Sequence, residues 1–228
     1  MPPDPGIRSD VWTIVRKDLA IERRARITVG QVLPLTVVLL VVFAFAFDAN
    51  AALLNGAAAG VLWVAVVLGA LMLIRRSFDV ETAGGNLDGL RLSGAAPAAV
   101  FLGKAAALLV QLLLVAAVAT AGLVVAYDAR VDQWALLVLT LVAGCVAVAV
   151  CGTLYGVLVV GAGAADTLLA LLLIPVVAPV VLAGSRALDV ALGVSTGSGF
   201  GWTALLAIVA AIYTTIGLVA FGPLLEEA

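Results

Sequence analysis

Long uncharged, apolar stretches alternate with short polar interruptions along the 228 residues. The stretches run from Ile27 to Phe47, Ala49 to Ile74, Ala105 to Tyr127, Gln133 to Ala165, Thr167 to Ser185 and Val190 to Leu225. Crossing about 30 Å of hydrocarbon takes about 20 apolar residues, and backbone there must be helical to satisfy its own hydrogen bonds. The pattern therefore predicts an all-α polytopic membrane protein, with transmembrane helices at 29–47, 54–74, 105–126, 134–160, 167–184 and 202–222. Trp134 and Trp202 open the fourth and sixth runs, as interfacial aromatics do, and Gly163 to Asp166 close the fourth. The last run is long for one simple span. Its Ser195-Thr-Gly-Ser-Gly199 stretch reads as a loop or a re-entrant segment, and a split in the fourth or sixth run is the alternative to six single helices.

Two polar segments hold more than a turn. Residues 9–26 predict an interfacial helix capped by Ser9 or Asp10, with Val11, Trp12, Val15 and Leu19 on one face and Lys17 and Arg24 on the other. Glu22 and Arg26 make a favourable i, i+4 pair there, and the arginines suit anionic headgroups. The connection over 75–104 interleaves Leu87, Leu90 and Leu92 with Asp88 and Arg91, as expected of a short element resting on the membrane or fitting a partner's groove. Glycines 84, 85 and 89 disfavour a long helix in it, and a solvated loop is the competing reading.

Composition narrows the function classes. Hydrophobic residues make up 64% and charged residues 11%, against about 25% charged in soluble domains. A net charge of −2 carries no basic nucleic-acid footprint. Histidine is absent, which removes the commonest general base, zinc ligand and axial haem ligand. Cys145 and Cys151 stand about 600° apart around a helix and so face different ways, which excludes a disulfide or a shared metal between them. Orientation follows from Lys and Arg alone. Ten lie before the first span or between the second and third, against Arg130 and Arg186 on the other side, so both termini are expected in the cytoplasm. The first apolar run begins after residue 26 and lacks a small-residue cleavage site, which does not fit a cleavable signal peptide.

No motif for chemistry emerges. Gly103-Lys104 is not a phosphate loop, since Ala98 and Ala105 stand where the glycine and the Ser or Thr belong. The spans are expected to hold no formal charge, which disfavours an ion-coupled pump, and no nucleophile has a base beside it. The chain is thus expected not to be an enzyme and to bind no metal. Gly56-Ala-Ala-Ala-Gly60 and Gly152-Thr-Leu-Tyr-Gly156 fit close helix packing, but such matches arise readily in a chain with 23 glycines. Pro175 and Pro179 share one face of the fifth span and imply a transmembrane kink with freed carbonyls.

Two of these segments resemble a known family. The stretch from Asp79 through Glu81, Gly85, Leu87, Asp88, Leu90, Leu92 and Ser93 to Pro97 resembles the acidic–Gly–Leu–Leu–Ser–Pro pattern after the second span of the haem exporter protein B family, the permease subunit of the cytochrome c maturation ABC transporter. The Pro175/Pro179 span is similar to that family's double-proline helix, and Arg16-Lys-Asp-Leu19 fits its basic opening. The chain departs from the pattern at Asn86, at Gly94-Ala-Ala and at Gly184-Ser-Arg186.

The resemblance implies a single transmembrane permease domain over 1–228, of ABC-2-type architecture, in the cytoplasmic (inner) membrane. It implies a separate ATPase subunit that uses ATP, haem-handling membrane subunits as partners, a possible second permease copy, and an assembly that acts in haem delivery, with haem as a possible substrate. No cofactor is expected to be held by this chain, and any haem contact must use apolar walls, Tyr, Met or arginine. The 75–104 connection becomes the expected ATPase-coupling loop. In it, Glu81 and Asp88 offer charge, Leu87 and Leu90 an apolar anchor, and Gly85 a close turn. A generic ABC-2-type exporter of lipid, drug or polysaccharide, or a non-transporting structural subunit, are the rival readings.

Overall fold

The computed structural model describes residues 7–82, 96–161 and 167–227, and every regular element among them is helical. The helices are α1 (Ile7–Ala25), α2 (Leu33–Ala46), α3 (Ala51–Thr82), α4 (Pro97–Ala126), α5 (Trp134–Gly161), α6 (Thr167–Ala191) and α7 (Phe200–Glu227). A π-helical turn, Thr28–Val32, leads into α2. Six helical stretches are long and apolar enough to cross a membrane, the first including this turn. The fourth and sixth apolar runs are each one helix. Ser195–Gly199 is loop, with Gly193 and Gly197 at positive φ.

Most helices outrun the expected spans. α3 begins at Ala51 because Asn50 caps it, its Oδ1 accepting from the N–H groups of Ala52 and Leu53 at 3.0 and 3.3 Å. It continues past Arg75 and Arg76 to Thr82, since Phe78 is buried and extends the inward stripe of Leu73 and Ile74. α4 begins at Pro97, a residue suited to the first helical turn, eight residues before the expected start. α6 runs on through Arg186 and Asp189 to Ala191. The connection expected over 75–104 therefore shrinks to the interval between Thr82 and Pro97.

α3 and α5 lie at the centre of the bundle, whereas α2 and α7 are the least enclosed spans. Here packing rests on large side chains set against glycine. Trp63 of α3 is wholly buried between Gly144 of α5 and Gly184 of α6, and a Cβ at either glycine would collide with its ring. Further along α3, Ile74 sits on Gly152 and Phe78 on Gly156. Leu40 fills the notch at Gly122, and Phe101 the one at Gly217. In lipid, where hydrophobic burial adds little between helices, such close approach is the main source of attraction. The Gly152/Gly156 pair thus does the packing. Gly56 and Gly60, of identical spacing, have open space where a Cβ would go.

Polar groups in the spans are mostly satisfied locally. Thr36 and Thr153 donate to the carbonyls four residues back, and Thr140 of α5 meets Thr203 of α7 at 2.7 Å. At one end of the bundle, Tyr127 Oη donates to the Leu40 carbonyl at 2.9 Å. There too the Asp132 and Gln133 N–H groups bond the last α6 carbonyl, of Ala191, at 3.0 and 3.1 Å. Trp134 and Trp202 lie exposed at this end. The opposite end carries α1, the close of α3 and the start of α4, and is the basic one.

The notch packing separates two glycines of the same helix type. Gly144→Val should lower the midpoint of thermal unfolding in detergent, with an overpacking cost of about 3 kcal/mol. Gly60→Val, facing open space, should leave the midpoint unchanged; size-exclusion recovery after heating measures both.

Candidate functional site

Two of the expected site residues are prolines. Pro175 and Pro179 fall within the single helix α6, and both lie on its exposed side, while Leu173, Val177 and Val180 face inward. An open apolar groove of about 430 Å³ runs beside them between α3 and α6, lined by Val67, Ile174, Val177, Ala178, Val181, Leu182 and Ser185.

Of the expected coupling residues, Glu81 falls in the last turn of α3, with its side chain outside the description. Gly85, Leu87, Asp88 and Leu90 lie outside the described residues. What the structure does place is the pair of helix ends that flank that segment, where Asp18, Glu22, Arg76, Ser77, Lys104 and Gln111 gather around one small cavity.

Lys104 is the centre of this group. α4 starts at Pro97, so Lys104 lies inside the helix, at the basic end of a stretch long and apolar enough to cross a membrane. Its side chain is only 3% exposed. An ammonium so placed needs a counter-charge. It lies 3.4 Å from Asp18 Oδ2, donates to Ser77 Oγ at 3.4 Å, and stands 5.2 Å from the centre of the Phe78 ring. Asp18 comes from α1, Ser77 and Phe78 from α3, so one lysine joins three helices.

The approach of α1 depends on the residue before Lys104. Gly103 lies under Ile14, and a Cβ there would come within 2.7 Å of the Ile14 side chain and 3.2 Å of the Val11 carbonyl. Gly103-Lys104, which is no phosphate loop, is thus a docking pair: the glycine admits α1 and the lysine holds it.

One turn beyond Asp18, Glu22 Oε1 accepts the Thr28 N–H at 2.5 Å, and Thr28 Oγ1 donates to Gln111 Oε1 of α4 at 3.3 Å. Arg26, at φ 54°, ends α1 and turns the chain into α2. Glu22 therefore secures the α1–α2 elbow, where an i, i+4 contact to Arg26 was expected. Between these groups lies a small cavity of about 30 Å³, room for about two waters, walled on its polar side by Asp18, Glu22, Arg76, Ser77, Lys104 and Gln111.

This geometry revises the inward face of α1. Val11 and Val15 do face the bundle, but their companions are Ile14, Asp18 and Glu22, whereas Trp12 is 63% exposed. Among the described residues no group of His, Cys, Asp and Glu could hold a metal, and Cys145 and Cys151 are buried free thiols. α1, the end of α3 and the start of α4 are thus bound together on either side of the interval between Thr82 and Pro97.

A family model described as "CcmB protein" matches residues 9–226. The chain belongs to the CcmB family. Within the curated proteins, Heme exporter protein B of Haemophilus influenzae is 29% identical over 180 residues, which covers 78% of this chain and 80% of that protein. The family match extends over α1 and over Lys104, so this group belongs to the matched region.

The Lys104–Asp18 contact predicts a specific energetic signature. Lys104→Met alone should destabilise the detergent-solubilised chain by about 3 kcal/mol, because it leaves Asp18, whose side chain is 10% exposed, with the more distant Lys17 at 3.9 Å. Asp18→Leu with Lys104→Met should cost less than the sum of the two single changes, since the contact they share is then lost once and not twice. Thermal unfolding of the four proteins measures the coupling, and additive single effects would mean that the pair contributes nothing.

Proposed function

We propose that this chain is the permease subunit of an ABC transporter acting in haem delivery for cytochrome c maturation, with ATP hydrolysed by a separate subunit. The observation that carries the reading is the family match over 9–226 on a chain with six helices long enough to span and no phosphate loop. Haem as the cargo is supported by the name of the Haemophilus relative. The chain would sit in the cytoplasmic membrane with its basic end, and so both termini, toward the cytoplasm, as the ten-to-two distribution of Lys and Arg favours.

A permease without its own nucleotide site must receive work at the cytoplasmic face. The segment between Thr82 and Pro97 starts from that face; in this reading its Leu87 and Leu90 are the anchor for the ATPase, Gly85 allows the chain to turn before them, and Asp88, with Glu81 at the end of α3, pairs with basic groups of the ATPase. Force entering there passes through the Lys104–Asp18 contact into α1 and through Thr28 into α2. The histidine-free chain offers no His–iron bond, so haem handling that needs one falls to the other membrane subunits of the system.

Leu87→Ala with Leu90→Ala should leave membrane insertion intact, because neither residue lies in a span, while costing about 2 kcal/mol or more of subunit docking. The expected outcome is loss of ATPase co-purification and of holo-cytochrome c formation in cells carrying only this variant, with Glu81→Ala milder. Wild-type pull-down by the double variant would remove the coupling assignment. Robust ATP hydrolysis by the isolated chain would remove the permease reading itself.

A further inference from the structure

We propose that the outward face of α1 is a binding surface for anionic phospholipid headgroups. The helix segregates its charges. Asp18 and Glu22 turn into the bundle, where Lys104 and the Thr28 N–H engage them. Arg8, Arg16, Lys17, Arg23 and Arg24 lie on the exposed side, and none of the exposed residues of α1 is acidic. Lys17 reaches back toward Asp18 at 3.9 Å but stays on that side, its side chain 40% exposed. The inward bonds of these two acids, with Asp10 half-buried in the first turn, leave the fully exposed positions of the helix with basic charge alone.

Two placements favour a bilayer over an acidic protein as the occupant. Only Arg26 and Ile27 separate α1 from the π-turn that opens the first membrane-spanning stretch, so the helix is held at the level where that stretch leaves the hydrocarbon. Trp12 stands exposed among the arginines. An indole with one polar edge fits the boundary between headgroup and acyl chain, and a bilayer supplies both that boundary and an anionic plane. The surface acts on α1 from outside while Gly103 and Lys104 hold it from inside, and it functions whichever cargo the chain handles.

The test compares the full chain in nanodiscs of phosphatidylcholine with the same discs doped with phosphatidylglycerol, reading hydrogen exchange of the α1 amides. Phosphatidylglycerol should slow exchange across α1 at least fivefold, roughly the gain that one basic residue makes near an anionic surface. The slowing should vanish in molar salt, where the screening length falls to about 3 Å. It should also vanish in the variant Arg8→Gln/Arg16→Gln/Arg23→Gln/Arg24→Gln and persist when the same four positions become Lys. Unchanged α4 exchange in the Gln variant shows that the bundle is intact. Equal α1 exchange in both discs, or a phosphatidylglycerol effect that survives the Gln variant, overturns the proposal. So does slowing that needs the ATPase subunit and is indifferent to lipid, which assigns the face to a protein.

Discussion

A lysine ammonium closed off from water at the edge of a membrane bundle must be given an opposite charge, and that requirement organises the basic end of this protein. Lys104, covered by the Phe78 ring and only 3% exposed, takes Asp18 of α1 at 3.4 Å. Bringing Asp18 in fixes the rotation of α1, which in turn directs Glu22 to the elbow and throws the arginines and Trp12 outward. The close fit at Gly103 gives the same answer by sterics. Charge and shape therefore select one orientation of a helix that its own sequence leaves ambiguous.

The remainder of the bundle obeys a different constraint. Inside hydrocarbon there is little hydrophobic gain from helix contact, and attraction must come from dispersion at short range. Trp63, Ile74 and Phe78 meet glycines of α5 along one side of α3, which brings the two central helices close over most of their length. The same Phe78 covers Lys104. Packing of the core and polar anchoring of α1 are thus linked through one aromatic ring.

The six spans were legible because the uncharged runs are long and their limits are marked by charge. The helix ends were not, for the same reason: a charged residue marks where hydrocarbon stops, not where a helix stops. Arg75, Lys104 and Arg186 were all taken as boundaries, and all three lie inside helices. Asn50 and the Ala96-Pro97 pair were the available signals for the true starts of α3 and α4. The inward face of α1 was out of reach, because arcs centred on Val11 and Val15 can extend toward Trp12 and Leu19 or toward Ile14 and Asp18. Residues 103 and 104, distant in sequence, decide between them. Family membership was readable from the Asp79–Pro97 and Pro175/Pro179 motifs and is shown by the match over 9–226.

The proposed coupling requires α1 to stay on the helix ends that flank the Thr82–Pro97 interval throughout transport. A disulfide between Ile14→Cys and Gly103→Cys tests it most directly, since a Cβ at 103 would lie 2.7 Å from that of Ile14. A bridge needs about 3.8 Å between Cβ atoms, so α1 must move out by about 1 Å to admit it, and the reduced pair, which carries the same displacement, is the reference. Cells carrying the oxidised pair should form holo-cytochrome c at the rate of the reduced pair, because the bond locks a contact that never opens. Loss of formation on oxidation, recovered by reductant, would show that α1 must leave α4 during the cycle and would contradict the account.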